Sequence, residues 1–368
     1  MLVAVVGGGQ LGRMLGLAGL PLGLHFRFLD PNPDAPAGDV GELIVGEYDD
    51  EDGLKRLAGG ADVVTYEFEN VPVDAARGLE RYAPVFPSPR ALEVTQDRLA
   101  EKTLFGVVSI PFHAYRPVDS LEELREAIDE VGTPALLKTR RMGYDGKGQF
   151  EVFDESHAAT AWEAVGGASS ILEALVEFDR ELSVIAVRDR EGETRCYPLV
   201  ENVHREGILR TSVAPAPDVS LDLRTHAERY ANAILDELGY VGVLALELFQ
   251  VGDRLLANEI APRVHNSGHW SIEGAHTSQF ENHLRAILGL PLGSIAPRGS
   301  SGMVNLIGAE PDTAPVLEIP GAHLHRYGKA PRPGRKLGHV TVVADDDASR
   351  DEGTAQVVRL VDQTPPAG

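Results

Sequence analysis

The chain has 368 residues, enough for two or three domains at roughly 150 residues each, and 43% apolar with 24% charged residues excludes a disordered or fibrous protein. Thirty-four Lys and Arg against 56 Asp and Glu give a net charge of -22, which argues against general binding to nucleic acid or an anionic membrane, so any anionic ligand must meet a local basic patch. The single cysteine, Cys196, cannot form an internal disulfide, and its apolar and aromatic neighbours predict a buried, inert thiol. With no basic leader, small-residue cleavage site or run of about 18 apolar residues, the expected location is cytoplasmic.

A buried strand is predicted over 2–6, running into Gly7-Gly8-Gly9-Gln10-Leu11-Gly12 and a small-residue helix, with a second strand at 26–30. A third at 62–66 ends on Glu67-Phe68-Glu69-Asn70, so residues 1–90 read as an open parallel α/β domain. Three prolines mark 82–90 as a linker. Thr95 is expected to cap a helix to about Phe105, and Ser120-Leu121-Glu122-Glu123 has capping-box spacing for a helix ending near Gly132. From Ala135 the pattern becomes α+β with an antiparallel sheet: strands at 135–138, 150–153, 171–176, 181–187 and 241–249 alternate with helices near 156–165, 225–238 and 277–288. A smaller unit from about Leu290 holds short strands around 304–307 and 340–344.

Gly7-x-Gly9-x-x-Gly12 after a strand, with Asp30 at the distance of a ribose ligand, matches a dinucleotide fingerprint and supports a nicotinamide-dependent oxidoreductase as a rival. The same turn at a helix N-terminus binds any phosphate, or serves as a tight turn alone. The stretch Lys138-Thr139-Arg140-Arg141-Met142-Gly143-Tyr144-Asp145-Gly146-Lys147-Gly148-Gln149 joins two strands and has three glycines in six positions, so its backbone can fold over phosphate oxygens as a lid. A bland hairpin is the alternative.

Glu247 interrupts a strand that is apolar on both faces, and Glu259 interrupts the return strand after Gly252-Asp253-Arg254. A three-residue loop pairing Val251 with Leu255 puts the two carboxylates directly opposite; a two-residue loop puts them on opposite faces. Facing like charges destabilise a sheet, and a hard divalent cation such as Mg²⁺ removes the conflict. In the following Ala261-Pro262-Arg263-Val264-His265-Asn266-Ser267-Gly268-His269, Arg263 can clamp a small planar anion; a zinc site on His265 and His269 is the less favoured alternative, because no H-E-x-x-H helix is present. On their sequence neighbours alone, His204 and His226 read as ordinary histidines. Residues 319–344 contain no Asp or Glu but carry Arg326, Lys329, Arg332, Arg335, Lys336 and three histidines, a phosphate-sized basic patch or a solvated loop.

Taken together these motifs, with Gly207-Ile208-Leu209-Arg210-Thr211-Ser212 and Arg332-Pro333-Gly334-Arg335-Lys336-Leu337-Gly338-His339, resemble the 5-(carboxyamino)imidazole ribonucleotide synthase (PurK) family of the ATP-grasp superfamily, over residues 1–339. The resemblance implies an ATP-grasp fold: an N-terminal domain over 1–90, an ATP-grasp domain over 91–290 with a lid over about 106–168, and a small C-terminal domain over 291–368. It implies a ligase in purine biosynthesis that joins ATP, bicarbonate and 5-aminoimidazole ribonucleotide, commonly as a homodimer. ATP would contact Arg98, Lys138, the lid loop Gly143, Tyr144, Asp145, Gly146, Lys147, Gly148 and Gln149, the adenine-binding Glu173, Ala174, Leu175 and Val176, the ribose-binding Glu181, and His204, Asn258 and Glu259. Glu247 and Glu259 would hold Mg²⁺ or Mn²⁺, while Ala261 stands where many relatives place a third ligand. Bicarbonate would lie on Arg263, His265 and Asn266. The ribonucleotide would take Gly9, Gln10, Leu11, Lys329, Arg335 and Lys336 for its phosphate, with Glu67 and Asp145 near its ribose or amine. A non-catalytic nucleotide sensor of the same fold, and a formyl-transferring or amino-ligating relative, are the remaining alternatives.

Overall fold

The computed structural model describes residues 1–143 and 148–365. Tyr144, Asp145, Gly146 and Lys147, four residues of the predicted lid loop, therefore lie outside the described residues. Strands β1 (Leu2–Val6), β2 (His25–Asp30), β3 (Glu42–Val45) and β4 (Val63–Tyr66) form a parallel sheet in the order β3-β2-β1-β4. Residues 82–90 are no free linker. Val64 bridges Val85 in parallel fashion, and Ala83 and Val85 are buried against the sheet.

The chain then makes two helices where one was predicted. Thr95 ends the first, Pro89–Thr95, by donating its hydroxyl back to the Ala91 carbonyl. Asp97 starts the second, Arg98–Val107, by accepting from the Leu99 amide, as a carboxylate does at an N-terminus better than a threonine already engaged upstream. Four strands, β5 (Tyr115–Val118), β6 (Ala135–Thr139), β7 (Gln149–Val152) and β8 (Ser170–Ala174), form an antiparallel sheet in the order β5-β8-β6-β7. Helix Leu121–Val131 packs on it over a separate small core containing Leu124, Leu137 and Leu172. Ser120 caps that helix as its spacing predicts, and Gly132 ends it at φ 85°.

The large antiparallel sheet uses β9 (Arg180–Arg188), β10 (Thr194–Cys196), β11 (Val200–Arg205), β12 (Ile208–Ala214), β13 (Gly242–Val251), β14 (Arg254–Ala261), β15 (Ser300–Ile307), β16 (Ala322–Arg326) and β17 (Lys336–Ala344). Its main path is β14-β13-β9-β11-β12-β15-β17-β16, with β10 beside β9, so the C-terminal strands continue the central sheet. Alternation along β9 and β13 separates two cores. Leu182, Val184, Leu244, Leu246 and Leu248 pack with helix Leu221–Glu237, whereas Ile185, Val187, Val243 and Ala245 face the N-terminal unit and helix Gln279–Ile287. Following that second face along the strands, the apolar row changes to Ser183 and Glu247, which pair directly. The site begins there.

Candidate active site

The turn between β13 and β14 is two residues, with Val251 opposite Arg254, and not the three-residue loop expected. Kept in that register, Glu247 would pair with Asn258 and Glu259 would point to the other face. A one-residue irregularity intervenes: Leu248 pairs with Ala257 but Leu246 with Ile260, so Asn258 and Glu259 together oppose Glu247. The bulge brings both carboxylates into one electrostatic site. Burial and the Glu259 charge raise the Glu247 carboxyl to about 7. Burial acts in the same direction on Glu259, but Arg98 and Lys138 outweigh it and hold that carboxyl below its usual range. Ala261, opposite Ala245, is buried among apolar side chains.

Helix Arg98–Val107 supplies the cations beside Glu259. Arg98 Nη1 lies 3.2 Å from Glu259 Oε2, and one turn later the buried Lys102 donates to the Asn258 carbonyl at 2.8 Å. Glu173, 1% exposed, sits between Lys138 Nζ at 2.6 Å, Lys102 Nζ at 3.3 Å and His113 Nε2 at 3.1 Å. Burial alone would raise its carboxyl; Lys138 and Lys102 instead hold it well below the carboxylate range. Its side chain thus serves the cation cluster, and β8 ends at Ala174, before the exposed Leu175 and the predicted strand end at Val176. Lys102, His113 and Glu101, which accepts from the Ile260 amide at 2.6 Å, are not evident in the sequence, although Arg98 and Lys102 share a helix face by their spacing alone. The lid loop is closed at its base by Thr139 N donating to Gly148 O, and a Cβ on Gly148 would meet Thr139 Oγ1 at 2.6 Å. Gln149 opens β7, and Gly143 precedes the undescribed stretch. Arg140 and Arg141 tie the lid to Asp97.

Glu181 Oε2 accepts from His204 Nδ1 at 2.7 Å. Burial lowers the His204 imidazole's affinity for a proton, but Glu181 and Glu247 raise it further, so His204 belongs to the site while His226 stacks on Tyr230 elsewhere. His265 Nε2 lies 3.4 Å from Glu247 Oε1, and burial beside Arg263 and Lys336 holds this imidazole neutral. Gln279, also unforeseen, grips the backbone of His265 by accepting from its N–H and donating to its carbonyl. Asn266 exchanges two hydrogen bonds with Asn305. His269 is packed against Phe280, Tyr327 and His339, with Nδ1 near the Gln279 amide. Its ring is a core element, and the paired-histidine zinc arrangement is not formed.

Arg263 Nη2 meets Glu69 Oε2 at 2.7 Å and so links the central sheet to the end of β4. Next to it, Glu67 accepts from the amides of Gly9, Leu11 and Gly12 at 2.8–3.2 Å. The turn expected to cradle a phosphate therefore already holds a carboxylate at the helix N-terminus, and a Cβ on Gly9 would strike Glu67 Oε1 at 2.7 Å. Asp30 accepts from Gly8 N at 2.8 Å and from Tyr48. It is thereby committed to the turn and leaves the dinucleotide reading without its ribose ligand. Burial raises the Glu67 carboxyl, partly offset by those amides, Lys329 and Arg263.

The acid-free segment reaches the same place. Lys329 Nζ donates to the Gln10 side chain. Burial, with Arg335, Lys336 and Arg332 nearby, lowers the Lys329 ammonium to about 8. Arg335 donates to the Ala330 carbonyl. Arg326 instead turns to Glu310, and His325 to Glu273, so only part of the basic run faces the turn. Cys196 is only partly buried and not fully so as expected, although burial raises its thiol to about 12. Among the described residues no three His, Cys, Asp or Glu converge on a metal position, and no helix is long and apolar enough to cross a membrane. Two opposed carboxylates still suit Mg²⁺, which commonly takes one or two and completes its shell with waters and phosphate oxygens.

Three family models cover most of the chain: a ribonucleotide synthetase preATP-grasp domain over 1–96, an ATP-grasp domain over 103–280 and a phosphoribosylaminoimidazole carboxylase C-terminal domain over 301–353. The chain is 49% identical to the N5-carboxyaminoimidazole ribonucleotide synthase of Pseudomonas aeruginosa, covering 98% of this chain and 100% of that one. The crystal structure of N5-carboxyaminoimidazole ribonucleotide synthetase from Thermus thermophilus superposes with a TM-score of 0.95 at 60% identity over all of both chains. That of the Aspergillus clavatus synthase in complex with ADP and 5-aminoimidazole ribonucleotide does so with 0.92 at 33% identity, over 98% of each. With the ATP-grasp fold, the paired glutamates and the basic segment at the glycine turn, these likenesses establish that the chain belongs to the N5-carboxyaminoimidazole ribonucleotide synthase family.

Proposed function

We propose that this protein is an ATP-dependent carbon–nitrogen ligase that carboxylates 5-aminoimidazole ribonucleotide in purine biosynthesis, with bicarbonate as the carbon source. The observation that carries the reading is the position of Arg263. It bridges to Glu69, acts on Glu67 and acts on His265, whose Nε2 lies beside Glu247, so one guanidinium connects the Gln10–Glu67–Lys329 cluster to the Glu247 end of the paired carboxylates.

ATP phosphates fit the cations Arg98 and Lys138, with Gly143, Gly148 and Gln149 at the two ends of the predicted phosphate loop; Asp145 and its neighbours over 144–147 lie outside the described residues. Glu181 and His204, already paired, suit the nucleotide's ribose, and 174–176 its base. Glu247, Glu259 and the Asn258 neighbourhood would hold Mg²⁺, whose charge stabilises the transferring γ-phosphoryl group. Arg263, whose Nη1 donates to the Val264 carbonyl and whose Nη2 meets Glu69, has further N–H groups to turn to bicarbonate, His265 presents Nε2 beside Glu247, and Asn266 is fixed by Asn305. A bicarbonate oxygen attacks the γ-phosphorus, the bond to ADP breaks, and carboxyphosphate results. Water must be kept from this anhydride, which is the lid's task. Carboxyphosphate releases CO₂ and phosphate, and the exocyclic amine of the ribonucleotide attacks CO₂ and loses a proton. Lys329, Arg335 and Lys336 suit the ribonucleotide phosphate beside Gly9, Gln10 and Leu11; because Glu67 holds the Gly9 and Leu11 amides, the tail cations carry most of this contact.

Bicarbonate labelled with oxygen-18 tests the phosphoryl step. Turnover should place one labelled oxygen in each phosphate released. Unlabelled phosphate would mean that water attacks ATP and would sink the carboxyphosphate route.

A further inference from the structure

A row of buried polar side chains crosses three neighbouring strands of the central sheet, β12, β11 and β9, and ends in the turn after β14, beneath the anion site. Ser212 on β12 donates to Asn202 Oδ1 at 2.8 Å, Asn202 Nδ2 on β11 donates to Ser183 Oγ on β9 at 2.9 Å, and Ser183 donates to Ser267 Oγ at 2.8 Å. Ser267 Oγ lies 2.9 Å from His265 Nδ1, whose Nε2 looks at Glu247 on β13. Exposure is 1% for Ser212, 4% for Asn202 and 0% for Ser183 and Ser267, so the four make their hydrogen bonds to one another and not to water. Pairing explains the alignment: Ser212 opposes Asn202, and Ser183 opposes Glu247, all on the face that elsewhere carries Ile185, Val200 and Ala214.

The row has a direction. The Ser267 backbone N–H also points at His265 Nδ1, at 3.3 Å, and an amide can only donate. Nδ1 is therefore the acceptor and the ring proton sits on Nε2, facing Glu247 and the space beside Arg263. Lys336, His269, His204, Arg263 and Glu247 are the charged and titratable groups acting on this ring. Of these, Glu247 beside Nε2 favours the same tautomer from the other side of the ring, while the row supplies the donor at Nδ1. An apolar row would pack the sheet as well, and four polar groups in a dry interior are costly unless each is satisfied.

We infer that Ser212, Asn202, Ser183 and Ser267 are positioning residues that set the ring orientation and the Nε2–H tautomer of His265, so that it presents a hydrogen-bond donor to the oxyanion bound beside Arg263. The inference rests on the placement of bicarbonate given above, and it adds the residues behind His265 to the site. The row holds His265 without touching substrate, as an outer-shell partner fixes a histidine ligand.

Two variants of the full chain test it, each checked for a cooperative melt. Asn202→Asp cannot donate to Ser183, which reverses the row and turns an acceptor of Ser267 Oγ toward Nδ1; the backbone N–H of Ser267 remains, so the share of the Nδ1–H tautomer should rise rather than replace the other. Ser267→Ala removes the hydroxyl at Nδ1, leaves only the longer 3.3 Å contact of the Ser267 N–H there, and should raise the share of the Nδ1–H tautomer, with the parental state restored by Ser267→Thr. Ring nitrogen-15 spectra, with the His265 signals assigned by their loss in His265→Gln, read the tautomer directly. Turnover at varied bicarbonate reads its consequence: kcat/KM for bicarbonate should fall by about 10- to 100-fold while the KM for ATP stays unchanged. Parental nitrogen-15 patterns in both variants would overturn the relay. A changed tautomer with parental bicarbonate kinetics would overturn the placement of bicarbonate at His265 instead, so the two failures are distinguishable.

Discussion

Arg98 donates to Glu259 across 3.2 Å, and Lys138 acts on the same carboxylate, so Glu259 stays ionised while its partner Glu247 is pushed toward the neutral acid. The two glutamates are thus unequal before any cation arrives. Glu259→Gln removes the charge that the cations already compensate. It should cut Mg²⁺-dependent ADP release by roughly a hundredfold or more and should not stabilise the ligand-free protein, because Arg98 loses its partner. Near-normal turnover in steady-state assays would contradict the metal assignment.

Glu247→Gln should behave differently. Its folded carboxyl titrates at about 7, above the ordinary value of 4.5, so between those pH values the folded state holds a proton that the unfolded state has released. Stability from this group is present below pH 4.5 and is lost as pH rises toward 7. The glutamine variant escapes that loss, so its melting temperature relative to the parent should rise from pH 5 to pH 8 in the absence of Mg²⁺. A constant difference across that range would show that the two carboxylates do not conflict.

Arg263→Lys tests the anion clamp. A lysine keeps the charge but not the guanidinium's further N–H groups, and a charged hydrogen bond is worth about 1.5–3 kcal/mol. The rate at saturating ATP should fall roughly 10- to 100-fold, with ATP affinity little changed. Unaltered bicarbonate dependence would place the anion elsewhere.

Lys336→Ala should raise the KM for the ribonucleotide by about 10- to 100-fold, at about 1.4 kcal/mol per tenfold, and leave ATP binding nearly unchanged. Lys329 adds a pH signature. Its ammonium, lowered by burial to about 8, loses its proton as pH rises past that value, so affinity for the dianionic phosphate should weaken between pH 7.5 and 9. Lys329→Met should abolish that slope; calorimetric titration of the ribonucleotide across this range would read both effects.

Much of this architecture is legible in the residues because local rules act there without competition. The first βαβ unit, the Ser120 cap and the strand interrupted by Glu247 follow from apolar period and capping chemistry. The pairing of Glu247 with Glu259 is illegible at that level. A two-residue turn and a one-residue bulge each invert the facing, and their effects cancel, so the expected outcome arises from a register that differs from the expected one. Strands β11 and β12 are also hard to recognise, because Asn202, His204 and Ser212 occupy positions where an apolar alternation would be read. Glu67 shows a third kind of limit. A glycine turn at a helix start selects for a nearby anion, and nothing in the motif says whether that anion is a ligand or the protein's own carboxylate.

The central claim is that carbon from bicarbonate reaches the amine of the aminoimidazole at the expense of ATP. Purified protein incubated with carbon-13 bicarbonate, ATP, Mg²⁺ and 5-aminoimidazole ribonucleotide, followed by carbon-13 NMR alongside ADP release, measures this directly. The account predicts one carbamate carbon on the exocyclic nitrogen for each ADP formed, and no ADP release above background when formate or an amino acid replaces bicarbonate. ADP release that ignores bicarbonate, or a product with no labelled carbamate, would contradict it.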